Sequence, residues 1–216
     1  MEYLATTLFT GALSFLFISC MPTKAYANSE PIQTIYNIQQ ALDSADQVLF
    51  DASINVDSVV GQCVDVFIDN AKQVDKKSLP AMFSMMLSAV SKSEAARKKL
   101  HKTLVDEVST FVRYGVRSGA FAGKEFKAEK LSGLLSSLLA NASMGRKEIT
   151  NIGEAIEESG AMFVSFILHD HGNGQSYPIE AWLQQENGRW RVTGIRNVQT
   201  LLSLIQGEEV PPVSEV

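Results

Sequence analysis

Apolar residues recur every three or four positions from residue 29 to about residue 142, which is the spacing of one helix face. A first stripe runs through residues 32–42, and a stronger one runs through residues 56–71. Ser29 is placed to cap the first helix, since a serine side chain accepts hydrogen bonds from the first turn. The pattern therefore predicts that the first part of the chain is helical.

Polar residues mark where the later helices of this part begin. Asn55 or Asp57 can cap the helix that carries the second stripe. Ser93 with Glu94 opens a longer helix, and leucines resume the helical spacing over residues 130–142.

The apolar period changes to two after residue 145, which indicates β-strands. Residues 146–157 form a weak strand candidate, and residues 161–169 form a strong one with apolar side chains on both faces. A strand covered on both faces is expected in the middle of its sheet. Residues 169–176 contain two glycines and are expected to form a loop.

Asn187-Gly188 is a two-residue signal for a type I′ hairpin, which joins strands over residues 177–185 and 189–197. With these residues at the tip, Leu183 faces Val192 and Ala181 faces Gly194. The alternation then places Trp182 on the outer face of the hairpin, together with Glu180, Arg191 and Ile195.

These elements predict an α+β fold in which N-terminal helices pack on a C-terminal antiparallel, curved sheet of three or four strands. A short helix over residues 198–205 closes it. We expect a single domain over residues 28–207, followed by a disordered acidic tail at residues 208–216.

The first residues have the order of a secretory signal peptide. A nearly uncharged apolar run at residues 4–18 precedes Ala25-Tyr26-Ala27, which has small residues where a signal peptidase needs them. We therefore expect residues 1–27 to be a signal peptide cleaved after Ala27, and a periplasmic or secreted bacterial protein. Two alternatives stay open: a lipoprotein anchored at Cys20, which would place the domain at a membrane, and an uncleaved anchor.

Charge and cysteine content exclude several classes. The chain has 19 Lys and Arg against 24 Asp and Glu, a net charge of −5, whereas a nucleic-acid binder shows clustered positive charge. Cys63 is the one cysteine after the predicted cleavage site, and its apolar neighbours indicate a small core residue. We expect no nucleic-acid partner.

The end of the chain resembles two known families. A strand followed by Glu-Asn-Gly-Arg-Trp-Arg-Val at residues 186–192 and by residues 194–197 resembles the last strands of nuclear transport factor two-like (SnoaL-like) cone folds. The opening resembles small exported bacterial domains of unknown function, with a first helix at residues 36–45 followed by Asp46, Phe50 and Val56-Asp57.

The order of signal peptide, helical half and sheet with a late Gly-x-Trp is also similar to the periplasmic phospholipid carrier of the Mla pathway. This similarity covers mainly residues 161–205. Neither resemblance transfers a functional residue to this chain.

Few residues have the pattern of catalytic chemistry. His169-Asp170-His171 has metal-ligand residue types, but a solvated loop explains it more simply, and we expect no metal and no cofactor. Glu180 and Arg191 are expected to form a surface ion pair. No nucleophile motif and no glycine-rich phosphate loop is present, so we expect a protein that is not an enzyme.

A methionine-rich helix is the most suggestive feature for binding. Methionine side chains adapt to ligands of variable shape, so a curved sheet over this helix can enclose an apolar or lipid ligand between helices and sheet. The predicted ligand-binding residues are Met82, Met85, Met86, Phe111 and Trp182. Ordinary core packing is the competing interpretation of the methionines.

Two other functions stay open. One is an envelope assembly protein whose protein partner binds the outer sheet face at Trp182, and the other is a small-molecule enzyme that uses Glu180 and His169. The basic residues at 97–102 either meet lipid headgroups or an acidic partner, or form a solvated helix face.

Overall fold

The computed structural model describes residues 29–71, 81–90, 92–125 and 143–206 of the 216-residue chain. Within these ranges the helices are α1 Ser29–Ser44, α2 Gln47–Ser53, α3 Val56–Ala71, α4 Ala81–Val90, α5 Glu94–Arg117 and α6 Val198–Gln206, with a 3-10 turn at Ala120–Ala122. The strands are β1 Lys147–Thr150, β2 Ile156–Glu158, β3 Ala161–Asp170, β4 Gln175–Glu186 and β5 Arg189–Ile195.

The predicted α+β class, with helices first and an antiparallel sheet after them, is confirmed. The predicted signal peptide, the helix predicted over residues 130–142 and the tail predicted over residues 208–216 lie outside the described residues.

Short polar side chains begin three of the helices. Asn55 Oδ1 accepts a hydrogen bond from Ser58 N at 3.2 Å, so Asn55, not Asp57, caps α3. Ser93 Oγ accepts from Ala96 N at 3.4 Å and caps α5, as predicted. Asp46 caps α2, a seven-residue helix that the periodicity did not predict because it is too short to show a stripe.

Strand β3 lies in the middle of the sheet. Its neighbours follow the order β1-β3-β4-β5, all antiparallel, and β2 pairs with the same side of β3 as β1 does. The weak strand candidate at residues 146–157 is therefore two short strands. Within the described ranges the sheet has five strands, where three or four were expected. Strands β3 and β4 also extend to Asp170 and Gln175, so only residues 171–174 form the turn that was predicted over residues 169–176.

The predicted hairpin is confirmed at its tip and wrong at its far end. Asn187 and Gly188 have φ of 53° and 76°, as a type I′ turn requires, and Leu183 pairs with Val192. A β-bulge between Trp182 and Leu183 then shifts the register, so Ala181 pairs with Ile195 and Trp182 pairs with Gly194. Because the bulge adds one residue to β5, Ile195 turns to the inner face, where it packs against the core.

Two side chains of α1 and the backbone of Asn55, just before α3, hydrogen-bond the outer edges of the sheet. On the β1 edge, Gln39 of α1 accepts from Ile149 N at 2.6 Å. On the β5 edge, Thr34 of α1 donates to Trp190 O at 3.3 Å, and Asn55 N donates to Val192 O at 2.8 Å. Helix α1 therefore contacts both edge strands, which holds the curved sheet over the helices and occupies edges that could otherwise pair with another chain.

The core lies between the helices and the inner face of the sheet. Side chains from both layers are at most 1% exposed there, among them Ile35, Leu100, Leu104, Val164 and Leu183. Each such side chain stabilises the fold by about 1.5–3 kcal/mol through burial.

Candidate functional site

The methionine-rich helix is α4, which packs beside α5. Leu87 and Val90 belong to the buried core, Met86 is half-buried against it, and Met85 is 74% exposed. Met82 lies in α4, but its side chain is outside the described part of the structure. The helix therefore has a buried side and an apolar residue exposed to solvent.

Phe111, from α5, is 7% exposed and belongs to the same core cluster as Leu87. It therefore contributes to the packed layer behind α4. Met86 and Phe111 are joined through this cluster, whereas Met85 points away from it.

Trp182 lies on the other face of the sheet. It pairs across β3 and β4 with Phe163, and the two ring centroids are 4.4 Å apart with an interplanar angle of 55°. Because neighbouring residues of a strand point to opposite faces, Trp182 is separated from Val164, Ala181 and the core. The structure thus divides the predicted binding residues between two surfaces.

A groove of about 450 Å³ opens beside Trp182. It lies between α3 and the bulged part of the β4–β5 pair, and its lining contains Ser58, Gln62, Ser159, Ala161, Trp182, Gln184, Thr193 and Gly194. A Cβ at Gly194 would lie 3.1 Å from Gln62 Oε1 and 3.8 Å from Trp182 Cδ1, so glycine lets these two side chains approach the strand closely. Sequence alternation places Trp182 on this face but does not reveal the bulge that shapes the groove.

Two further grooves lie near the tip of the β4–β5 hairpin and carry charged side chains. One, of about 390 Å³, contains Glu30 and Arg189, and the other, of about 370 Å³, contains Asp51, Glu186 and Arg191. The groove beside Trp182, in contrast, has no charged residue in its lining.

A buried ion pair joins β1 to the β3–β4 turn. Lys147 Nζ lies 2.7 Å from Asp170 Oδ1, and Ser143 Oγ donates to the same oxygen at 2.6 Å. Burial raises the pKa of the Asp170 carboxyl, but the hydrogen bonds from Lys147 and Ser143 outweigh it and hold the pKa below its usual value. Since the Asp170 carboxylate accepts a hydrogen bond from Ser143 and is paired with the Lys147 ammonium, this cluster is suited to fixing the turn.

The two histidines beside Asp170 have separate partners. His169 lies in β3, where its ring nitrogens are 2.8 Å from Thr150 Oγ1 and 2.6 Å from Ser176 Oγ. His171 Nε2 is 2.7 Å from Glu148 Oε2, and this hydrogen bond is the main cause that lowers the pKa of Glu148. Across the four described ranges, no group of three potential ligands is arranged to hold a metal ion.

The expected Glu180–Arg191 ion pair is wrong. Arg191 pairs with Glu186 and also donates to Asp51 O at 2.7 Å and Ile54 O at 3.0 Å, which ties β5 to the end of α2. Glu180 instead lies 3.9 Å from Arg196. Arg191 lies opposite Gln184, four residues along β4 from Glu180 and next to Glu186 on the same face. The bulge instead brings Arg196 opposite Glu180, whose backbone oxygen accepts from Arg196 N at 2.8 Å.

The basic segment of α5 is partly neutralised by acidic residues. Arg97 donates to Asp69 at 2.8 Å and to Asp65 at 3.4 Å across to α3, and Lys102 pairs with Asp106 one turn along α5 at 2.7 Å. Lys98 and Lys99 are exposed.

Comparisons with protein-family models, with curated proteins and with solved structures found no match to this chain. The resemblance to cone folds and to the phospholipid carrier therefore stays a prediction. Among the helices that the structure describes, none combines the length and the apolar character that crossing a membrane requires.

Proposed function

We propose that the protein is an exported, non-catalytic binding domain that holds an apolar or lipid ligand against its methionine-rich helix α4. One observation carries this proposal. Helix α4 has no charged residue over its ten positions, yet Met85 is 74% exposed. A mostly apolar helix without charged residues is normally buried, so the exposed side of α4 is a suitable contact for an apolar molecule.

The neighbours of Met85 support the same ligand class. Met86 is half-buried next to the core, and Leu87 and Val90 anchor the opposite side of α4. Flexible methionine side chains over a fixed aliphatic base can adapt to acyl chains of different shape. The proposed cleavage after Ala27 delivers the domain to the envelope, where such ligands are abundant.

The first test is chemical. Residues 28–216 are purified from the envelope fraction, extracted with organic solvent and analysed by mass spectrometry. The proposal expects a co-purified lipid in stoichiometric amount, and vesicle-derived phospholipid should raise the melting temperature of the delipidated protein. A preparation free of lipid that shows no thermal shift would contradict it.

Two variants test whether the lipid contacts α4 at Met85. Met85→Asp should weaken lipid binding by about tenfold or more, because burying a methionine contributes about 1.5–3 kcal/mol. Val48→Asp is the matched control, since Val48 is also an apolar helix residue, is 81% exposed and lies on α2. Equal loss of lipid in both variants would assign the effect to general surface charge and not to α4.

A further inference from the structure

The groove beside Trp182 is lined by uncharged residues alone. It combines one large aromatic ring with two amides, three hydroxyl side chains and two small residues. Its volume of about 450 Å³ lies within the range of about 300–1,000 Å³ that is typical of small-molecule sites.

The ring is held in place. Trp182 packs on Phe163 with centroids 4.4 Å apart, and the guanidinium of Arg196 lies 4.8 Å from the centroid of Phe163. A rigid, half-buried indole offers a flat apolar contact at low cost in conformational entropy.

The polar groups beside it are oriented by the backbone. Ser58 Oγ donates to Thr193 O at 2.7 Å, so its oxygen can still accept hydrogen bonds. Gln62 Oε1 accepts from Ile195 N at 2.8 Å, which fixes the amide and leaves its NH₂ group as a donor. Donors and acceptors that are fixed in advance suit a ligand with many hydroxyl groups.

We propose that this groove binds a neutral polyhydroxyl ligand, a short segment of an oligosaccharide, with one sugar ring on Trp182 and its hydroxyl groups on Gln62, Gln184 and Ser58. A charged ligand would lose water in this groove without meeting an opposite charge there. The groove is on the opposite face of the sheet from the core behind α4, so this site is independent of the proposed lipid contact.

Binding in this groove can be measured by tryptophan fluorescence, because the chain has only two tryptophans. Trp190→Phe leaves Trp182 as the one indole, so its fluorescence reports this groove. Titration of residues 28–216 carrying this change with cellotriose and with chitotriose should give a saturable change in emission for at least one of them. The anionic trigalacturonate should give none. An unchanged emission with both neutral sugars, or a stronger response to trigalacturonate, would overturn the proposal.

Two neighbouring glutamines provide a test variant and its control, both made in the Trp190→Phe protein. Gln184 lines the groove, whereas Gln185 is exposed on the next position of β4 and faces the other way. Gln184→Ala should weaken sugar binding about fivefold, the effect of losing one hydrogen bond, and Gln185→Ala should leave it within about twofold. Equal effects of the two changes would overturn the assignment, as would a neutral peptide that changes the emission where both sugars fail.

Discussion

Asp170 has a structural role that its position between two histidines does not indicate. It lies between two histidines and so suggested metal chemistry, yet it is the buried member of the three, at 7% exposure. Its carboxylate accepts from Lys147, Ser143 and the N–H of Gly172. A buried charge needs such partners, and here they join β1 to the turn between β3 and β4.

Asp170→Asn should destabilise the protein by about 3–5 kcal/mol at neutral pH, because it leaves the Lys147 ammonium buried without a counter-charge. The measurement is the free energy of unfolding in urea. Asp106→Asn is the control, since Asp106 pairs with Lys102 at the surface, with side chains 62% and 76% exposed. An exposed pair contributes only about 0–1 kcal/mol.

The loss of stability caused by Asp170→Asn should also depend on pH. The pKa of Asp170 is lower in the folded state than its unfolded value of about 3.9, so its contribution is present above that value and is lost as pH falls through the folded pKa. The difference in stability between wild type and Asp170→Asn should therefore shrink below about pH 4. A difference that is constant from neutral pH to this acid range would contradict the ion-pair interpretation.

At the scale of single elements, two helix glycines have different surroundings. A Cβ at Gly115 of α5 would lie 2.3 Å from Cζ of Phe121, a buried ring of the 3-10 turn. At Gly61 of α3 the nearest atoms belong to His101, at 3.7 Å, which is an ordinary contact. The first glycine is required by packing, and the second is not.

Alanine at these two positions should therefore act in opposite directions. Gly61→Ala should stabilise the protein by about 0.5–1 kcal/mol, because alanine is the better helix former. Gly115→Ala gains the same helix propensity but displaces Phe121, so we expect a net loss of about 1–3 kcal/mol. Thermal unfolding of both variants measures this, and a stabilised Gly115→Ala would show that Phe121 can move without loss.

The elements that were predicted correctly are those with local causes. Ser93 caps α5 through its own side chain, and Asn187-Gly188 forms its turn because both residues tolerate positive φ. The β5 bulge has one local sign, Gly194, because a glycine inside a strand suggests a bulge but does not fix the register. It depends on contacts from α3, where Ser58 and Gln62 hydrogen-bond the strand at Thr193 and Ile195.

In the candidate sites, too, the features with local causes could be predicted and those that depend on distant residues could not. Alternation along β4 was sufficient to place Trp182 on the outer face. It could not show the groove, because the groove depends on the bulge opposite Trp182 and on α3, which is distant in sequence. For α4, composition indicated an apolar helix, but only packing distinguishes exposed Met85 from half-buried Met86.

At the scale of the whole molecule, the helices and the sheet depend on each other. Helix α1 hydrogen-bonds β1 through Gln39 and β5 through Thr34, and the shared core includes residues of both layers. Several edge groups of the sheet are therefore hydrogen-bonded by the helical half. Loss of either layer exposes both the core and these edges.

We therefore expect the two layers to unfold in one transition. Both tryptophans lie in strands, Trp182 in β4 and Trp190 in β5, so fluorescence reports the sheet. Far-UV circular dichroism is dominated by the helices. The two signals should give the same urea midpoint, and Gln39→Ala should lower both midpoints together, by about 1 kcal/mol in stability. If fluorescence and circular dichroism separate, or if Gln39→Ala shifts only the fluorescence midpoint, then the sheet unfolds independently and α1 does not couple the two layers.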